Sequence, residues 1–249
     1  MKKIISLMLA GIMTAICLCS CGSDNNELVM ATNAEFPPYE YKEGEEFKGI
    51  DVEIMTAIAE DMGMTLKVED MDFDAIISSV NSGKADVGAA GMTVTEDRLE
   101  NVDFSNTYAT ARQVLIVKAD SGLNSIEAIQ GKKIGTQLGT TGDIYARDSI
   151  EDGGFGEENV QAYSKGFEAV QALEQGKISA VLIDNEPAKV FVSQVEGLVI
   201  LDEAFVEEEY ALCVKKGNTE LLEKINASLA KLKESGKFDE IIDKYITAE

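Results

Sequence analysis

The chain has 249 residues, with 45 Asp and Glu against 22 Lys and Arg, a formal net charge of −23, and neither histidine nor tryptophan. The lack of histidine excludes Ser-His-Asp and Cys-His nucleophilic catalysis and most zinc sites, and so large a negative charge argues against nucleic acid and anionic membrane surfaces as partners. The length suffices for one large or two modest domains.

Lys2 and Lys3 precede an apolar run over residues 4–18. The run is too short for a comfortable bilayer span and reads as a secretory signal. It ends in Leu18-Cys19-Ser20-Cys21, an aliphatic residue and two small ones before a cysteine, which resembles the bacterial lipobox. The pattern predicts a lipoprotein signal over residues 1–20, lipid attachment at Cys21, and a polar tether over 21–27. The alternative is an ordinary signal peptide cut near the same point. Cys213, within Ala211-Leu212-Cys213-Val214, reads as a small buried hydrophobe in a strand.

Beyond the tether, short β-rich runs alternate with helical periodicity, the pattern of an α/β protein with mainly parallel strands. Strands are expected over 28–32, 65–68, 85–89 and 114–118, with a polar loop after the first. Helices are expected over 49–62, where Ile54, Ile58 and Met62 recur at spacing four, and over 73–80. A second unit follows, with a helix over 123–129, a strand over 133–136, and a helix opened by Gly139-Thr140-Thr141-Gly142. It continues through a strand over 160–163, a helix over 166–175, a strand over 180–183, a helix over 185–195 and a strand over 198–201. The chain closes with a strand over 210–214, two amphipathic helices and a tail over 246–249. The first of these helices is marked by Leu221, Ile225, Leu229 and Leu232, the second by Phe238, Ile241, Ile242 and Tyr245. No second hydrophobic span is present, so the chain is not itself a transmembrane transporter.

Three local patterns carry chemistry. In Ala31-Thr32-Asn33-Ala34-Glu35-Phe36-Pro37-Pro38-Tyr39-Glu40, a strand runs into a loop stiffened by two prolines, with Asn33, Phe36 and Tyr39 beyond its C-terminal end. That rim binds ligands in open α/β sheets; equally, the loop is a rigid turn whose aromatics cap a core. In Gly91-Met92-Thr93-Val94-Thr95-Glu96-Asp97-Arg98, Thr95 reads as a helix N-cap. Arg98 just inside is either half of a carboxylate clamp or a surface residue paired with Glu96 or Asp103. The turn Gly135-Thr136-Gln137-Leu138-Gly139-Thr140-Thr141-Gly142 offers backbone N–H groups but lacks the lysine of a phosphate loop. Asp184, at a strand end, either holds an ammonium group or caps the next helix. Together the patterns describe a trap for a zwitterion.

With these stretches in order, and with Asp51, Met71-Asp72-Phe73 and Val102-Asp103-Phe104-Ser105 beside them, the sequence resembles the family-3 extracellular solute-binding proteins, the polar amino-acid receptors of ABC importers. The resemblance covers about residues 28–245. It implies an α/β, type II periplasmic-binding-protein fold: lobe 1 from residues 28–109 and 209–249, lobe 2 from 110–208, a two-strand hinge, and the ligand cleft between the lobes.

It further implies that Arg98 makes the bidentate contact with an α-carboxylate, helped by the N–H groups of Thr93 and Thr141. Asp184, the Gly91 carbonyl and the Thr93 hydroxyl hold the α-ammonium. Phe36 and Phe73 sandwich the ligand side chain, and Asn33 and Gln137 sit where its end is discriminated. Neither catalytic residues, cofactor nor metal is implied. The implied partners are a free L-amino acid, an ABC permease with its ATPase, and the membrane through the lipid on Cys21. A monomer is expected, on the outer face of the membrane of a Gram-positive bacterium. Several relatives selective for basic ligands carry Asp at position 33 and Ser at position 90, where this chain has Asn33 and Ala90. The neutral Asn33 weakens the case for lysine or arginine, whereas Glu35, Glu40 and the acidic surface keep a basic ligand open, so the expected ligand is polar, uncharged or basic. Two alternatives share the fold: an enzyme like the cyclohexadienyl dehydratases, and an amino-acid sensor not coupled to transport.

Overall fold

The computed structural model describes residues 26–246; the signal, Cys21 and residues 247–249 of the tail lie outside the described residues. β1 (Glu27–Thr32) leads into β2 (Glu35–Phe36), β3 (Glu40–Glu43) and β4 (Glu46–Lys48), which form a small antiparallel sheet of their own. Then come α1 (Ile50–Asp61), β5 (Thr65–Asp70), a 3-10 turn (Phe73–Ala75), α2 (Ile76–Ser82), β6 (Val87–Gly88), α3 (Glu96–Asn101) and β7 (Val102–Phe104). The second unit holds β8 (Ala109–Lys118), α4 (Ile126–Ile129), β9 (Ile134–Gln137), α5 (Thr141–Arg147), β10 (Val160–Tyr163) and α6 (Gly166–Glu174). It ends with β11 (Ala180–Asp184), α7 (Asn185–Gln194), β12 (Leu198–Ile200) and β13 (Val206–Tyr210), after which come β14 (Cys213–Lys215), α8 (Thr219–Glu234) and α9 (Lys237–Tyr245).

The strands form two main sheets, one per lobe. The first has the order β5-β1-β6-β14-β7, with β1 parallel to β5 and β6 and β14 antiparallel to its neighbours. The second has the order β10-β9-β11-β8-β12, with β13 also paired to β8. Its β9, β10 and β11 are parallel, while β8 runs against β11, β12 and β13. The chain therefore passes between sheets twice, before Ala109 and after Tyr210, and these two residues are register partners. This is the two-lobed α/β architecture, with paired crossovers as the hinge.

Burial follows the periodicity. Ile54, Met55 and Ile58 of α1 are fully buried, and α1 packs against β5, α8 and α9. Each such side chain contributes roughly 1.5–3 kcal/mol when withdrawn from water. Cys213 is buried at the start of β14, and burial pushes its thiol up to about 12, so it packs as an inert small hydrophobe.

Several expectations are corrected. The strand over 210–214 is two strands: Tyr210 pairs with Ala109 in one sheet, and Cys213 with Gly88 and Phe104 in the other. Ala211-Leu212 is the step between them, invisible to a hydrophobicity pattern that runs straight through. The polar loop contains β2, β3 and β4. The strand over 85–89 narrows to β6, and the helix over 123–129 starts only at Ile126, where the Ser125 hydroxyl accepts from the Ala128 N–H at 3.3 Å. Among the described residues no helix is long and apolar enough to cross a membrane.

Candidate functional site

The rim at the C-terminal end of β1 faces the turn before α5, and between them lies a narrow, partly open cleft. Asn33, Phe36, Phe73, Gly91, Thr93, Arg98, Gln137, Thr141 and Asp184 all line it, joined by Glu40, Ala90 and Thr140. Elements from both lobes thus contribute, and three links tie its two sides together. Gln137 Nε2 donates to Asn33 Oδ1 at 2.8 Å, Arg98 Nη2 donates to the Gly139 carbonyl at 3.1 Å, and the Lys165 ammonium pairs with Glu35.

Arg98 is 7% exposed, which rules out the surface alternative, and Asp103 pairs instead with Lys216 at 2.7 Å. Thr95 fixes the start of α3 by accepting the Arg98 N–H at 3.2 Å. The guanidinium lies 5.4 Å from the centre of the Phe73 ring, and Nη1 donates to the Thr93 carbonyl at 2.8 Å. Burial lowers its pKa and the Glu208 carboxylate opposes that; an arginine stays charged regardless. Its remaining donors are available to a carboxylate entering the cleft.

Asp184 ends β11 and occupies the N-cap position of α7, yet its side chain makes no capping bond. The capping alternative therefore fails. Instead the Tyr210 hydroxyl donates to its Oδ1. Burial lifts its pKa to about 7, opposed by the Tyr210 hydroxyl; the Glu208 carboxylate adds to the rise and the Gln113 amide lowers it. A carboxylate so dehydrated gains much from a cation beside it.

Gly91 has φ of +51°, and a Cβ there would meet the Tyr210 ring at 3.1 Å and the Phe36 ring at 3.2 Å. Only glycine lets the chain turn between those rings. Its N–H donates to Asp51 Oδ2 at 2.8 Å, and the Tyr108 hydroxyl binds both Asp51 oxygens at 2.7 and 2.8 Å. Burial raises Asp51 to about 6, and the adjoining Glu40 carboxyl is held well above the usual range by burial and then by Asp51. Glu40 is 1% exposed. Glu40 and Asp51 are neighbouring buried carboxyl groups, so ionising one disfavours ionising the other.

In the turn before α5, Thr140 caps the helix by accepting the Asp143 N–H at 3.3 Å. Buried Asp143 braces the turn from below, taking the Thr136 hydroxyl at 2.7 Å and the Gly139 N–H at 3.3 Å. Asn33 is held by the Met71 carbonyl at 2.8 Å as well as by Gln137. Among the described residues no cluster of His, Cys, Asp or Glu is arranged to hold a metal.

Glu208, behind the lining, escaped the sequence reading, and Glu40 entered it only as an acid favouring a basic ligand. Glu208 lies in the run Glu207-Glu208-Glu209, where three acids look alike. Strand alternation was the available signal, because Glu208 and Tyr210 share the buried face of β13 while Glu207 and Glu209 are exposed.

Comparison with known proteins finds one family model, bacterial extracellular solute-binding proteins, family 3, matching residues 28–248. The arginine-binding extracellular protein ArtP of Bacillus subtilis is 32% identical, over 100% of both chains. The ABC transporter glutamine-binding protein GlnH of Bacillus subtilis is 30% identical, over 99% of this chain and 98% of that one. Among solved structures, an ancestral arginine-binding protein bound to arginine superposes with a TM-score of 0.82 at 40% identity, covering 89% of this chain and 98% of that one.

Proposed function

The chain belongs to family 3 of the bacterial extracellular solute-binding proteins, and we propose that it captures a free polar, uncharged or basic L-amino acid and hands it to an ABC permease. One observation carries this reading: Arg98 and Asp184, each less than a tenth exposed, line one cleft between the lobes. A buried cation and a buried anion facing one cavity match the two charges of a zwitterion. Arg98, with the N–H groups of Thr93 and Thr141, takes the α-carboxylate. Asp184, with the Gly91 carbonyl and the Thr93 hydroxyl, takes the α-ammonium. Phe36 and Phe73 flank the side chain, and Asn33 and Gln137 meet its end. Relatives named for arginine and for glutamine support a basic or carboxamide side chain.

The working unit is a hinge of two crossovers. Residues 28–109 and 209–249 form lobe 1 and 110–208 form lobe 2; closure buries the ligand, and the permease engages the closed form. The sequence supports a signal over residues 1–20, a lipid on Cys21, palmitate included, and a tether over 21–27. These would hold a monomeric receptor on the outer face of a Gram-positive membrane. The named relatives are binding proteins rather than enzymes, and the cleft lining has the charges of a receptor.

The test is a thermal-shift panel on a soluble fragment beginning at Asn26, with the twenty L-amino acids, ornithine and citrulline. A true ligand at a hundred times its dissociation constant raises the melting temperature by about 5–10 °C. A flat response across the panel overturns the proposal. Arg98→Ala should abolish the response; an undiminished shift in that variant removes the clamp assignment.

A further inference from the structure

Glu208 sits on β13, one of the two hinge-forming strands, and is 6% exposed. Its Oε2 accepts three hydrogen bonds: from Thr93 Oγ1 at 3.2 Å, from Thr141 Oγ1 at 3.0 Å, and from Gln113 Nε2 at 3.0 Å. Thr93 lies beside the β14–β7 lobe, Thr141 opens α5 in the other lobe, and Gln113 lies on β8. Glu208, Gln113 and Thr141 belong to the lobe of the second sheet and Thr93, bridged to Tyr210, to the first, so one carboxylate oxygen bonds across the lobe boundary as well as within its own lobe.

We propose that Glu208 is a closure latch, a positioning residue whose bonds to Thr93 and Thr141 form together only when the lobes meet, slowing release of the bound amino acid. The inference rests on the amino-acid receptor reading above.

Three features of the site argue for it. First, Thr93 and Thr141 are cleft-lining residues, whereas Glu208 is not, so the latch grips the ligand's contacts from behind. Secondly, its hinge partner is positioned tightly. A Cβ on Gly142 would lie 2.8 Å from Gln113 Oε1, so the glycine of the turn keeps room for that amide. Gln113 is the register partner of Asp184, and its amide also lowers the Asp184 pKa, so the same hub reaches the ammonium end of the cleft. Thirdly, a buried carboxylate is retained only where hydrogen bonds and a nearby cation support it; here the Arg98 guanidinium is the cation, and the bonds to Oε2 come from both sides of the lobe boundary. Opening the cleft separates Thr93 from Thr141 and returns Glu208 toward water. The bonds thus favour the closed state specifically, which acts on dissociation rather than on encounter.

The experiment compares the unsubstituted fragment with Glu208→Ala and Glu208→Gln. The twenty L-amino acids serve as probes, with dissociation constants from calorimetry and rates from stopped-flow tyrosine fluorescence. In Glu208→Ala the dissociation rate should rise by about tenfold or more, while the association rate changes less than about twofold and the ligand-free melting temperature holds within about 3 °C. Glu208→Gln keeps an acceptor for both hydroxyls and should stay within about threefold of the original affinity. Unchanged dissociation in Glu208→Ala overturns the latch, as does a loss confined to association or matched by a fall in ligand-free stability. If the unsubstituted fragment binds no probe, the receptor reading fails and takes the latch with it.

Discussion

At the scale of single residues, the site is a set of buried acids whose charge is decided by what stands beside them. Asp184, lifted to about 7 by burial, is ionised at little net gain in a closed, empty cleft and at large gain against an ammonium. Asp184→Asn keeps the acceptor for Tyr210 but removes the charge. It should weaken amino-acid binding by about 2–5 kcal/mol, or roughly 30-fold and upward in dissociation constant by calorimetry. Glu40 behaves differently. Its folded pKa lies above its unfolded value of 4.5, so the stabilisation associated with its bound proton is complete below pH 4.5 and is lost as pH rises through the folded value. Glu40→Gln imitates the protonated form at every pH. Chemical denaturation of the ligand-free fragment should show the variant gaining stability over the original protein between pH 5 and pH 8. A difference that stays constant across that range means Glu40 carries no proton in the fold.

At the scale of elements, the sequence reading was sound where one pattern decides one structure and failed where two compete. α1 and β11 lie close to their expected positions, because apolar spacing at four and a short continuous apolar run each have one packed solution. β3 and β4 were hidden because Glu and Lys disfavour strands; the hairpin is held by register and by ties such as Lys42 to Asp70 at 2.7 Å, which no local window contains. The division of 210–214 into β13 and β14 depends on which sheet each half joins, a long-range fact. The cleft shows the same split. Arg98, Asp184 and the glycine-threonine turn were legible as motifs, whereas Glu208 needed its neighbours across the cleft to be distinguished from the acids around it. Gly142 provides a test at this level. In Gly142→Ala the new methyl meets Gln113 Oε1 at 2.8 Å and the Leu182 carbonyl at 3.4 Å, so Gln113 must move. Overpacking costs about 1–3 kcal/mol, and the lower end applies here because the atom met is the far end of a flexible side chain. Equilibrium denaturation should register that loss, with weaker amino-acid binding beside it; a variant of unaltered stability and affinity would show that the turn has slack.

At the scale of the whole molecule, charge and closure act at different distances. Links across the closed cleft are local: the Lys165–Glu35 pair, with side chains 29% and 27% exposed, is partly screened by water, and such pairs contribute only about 0–1 kcal/mol. The net charge of −23 acts farther out. At 0.01 M salt the screening length is about 30 Å, comparable with a small domain, and at 0.15 M it is about 8 Å. An approaching cation is therefore drawn toward the molecule at low salt, and a zwitterion of zero net charge is not. If arginine and glutamine both bind, their association rates should respond differently to salt. The rate for L-arginine should fall severalfold between 0.01 M and 0.5 M salt, while that for L-glutamine stays within about twofold. With seven tyrosines and no tryptophan, stopped-flow tyrosine fluorescence reads both rates on the unlabelled protein. Parallel salt dependence for the two ligands would show that the negative surface serves solubility alone. A divergence confined to association would show that the surface favours a basic ligand before any contact inside the cleft is made.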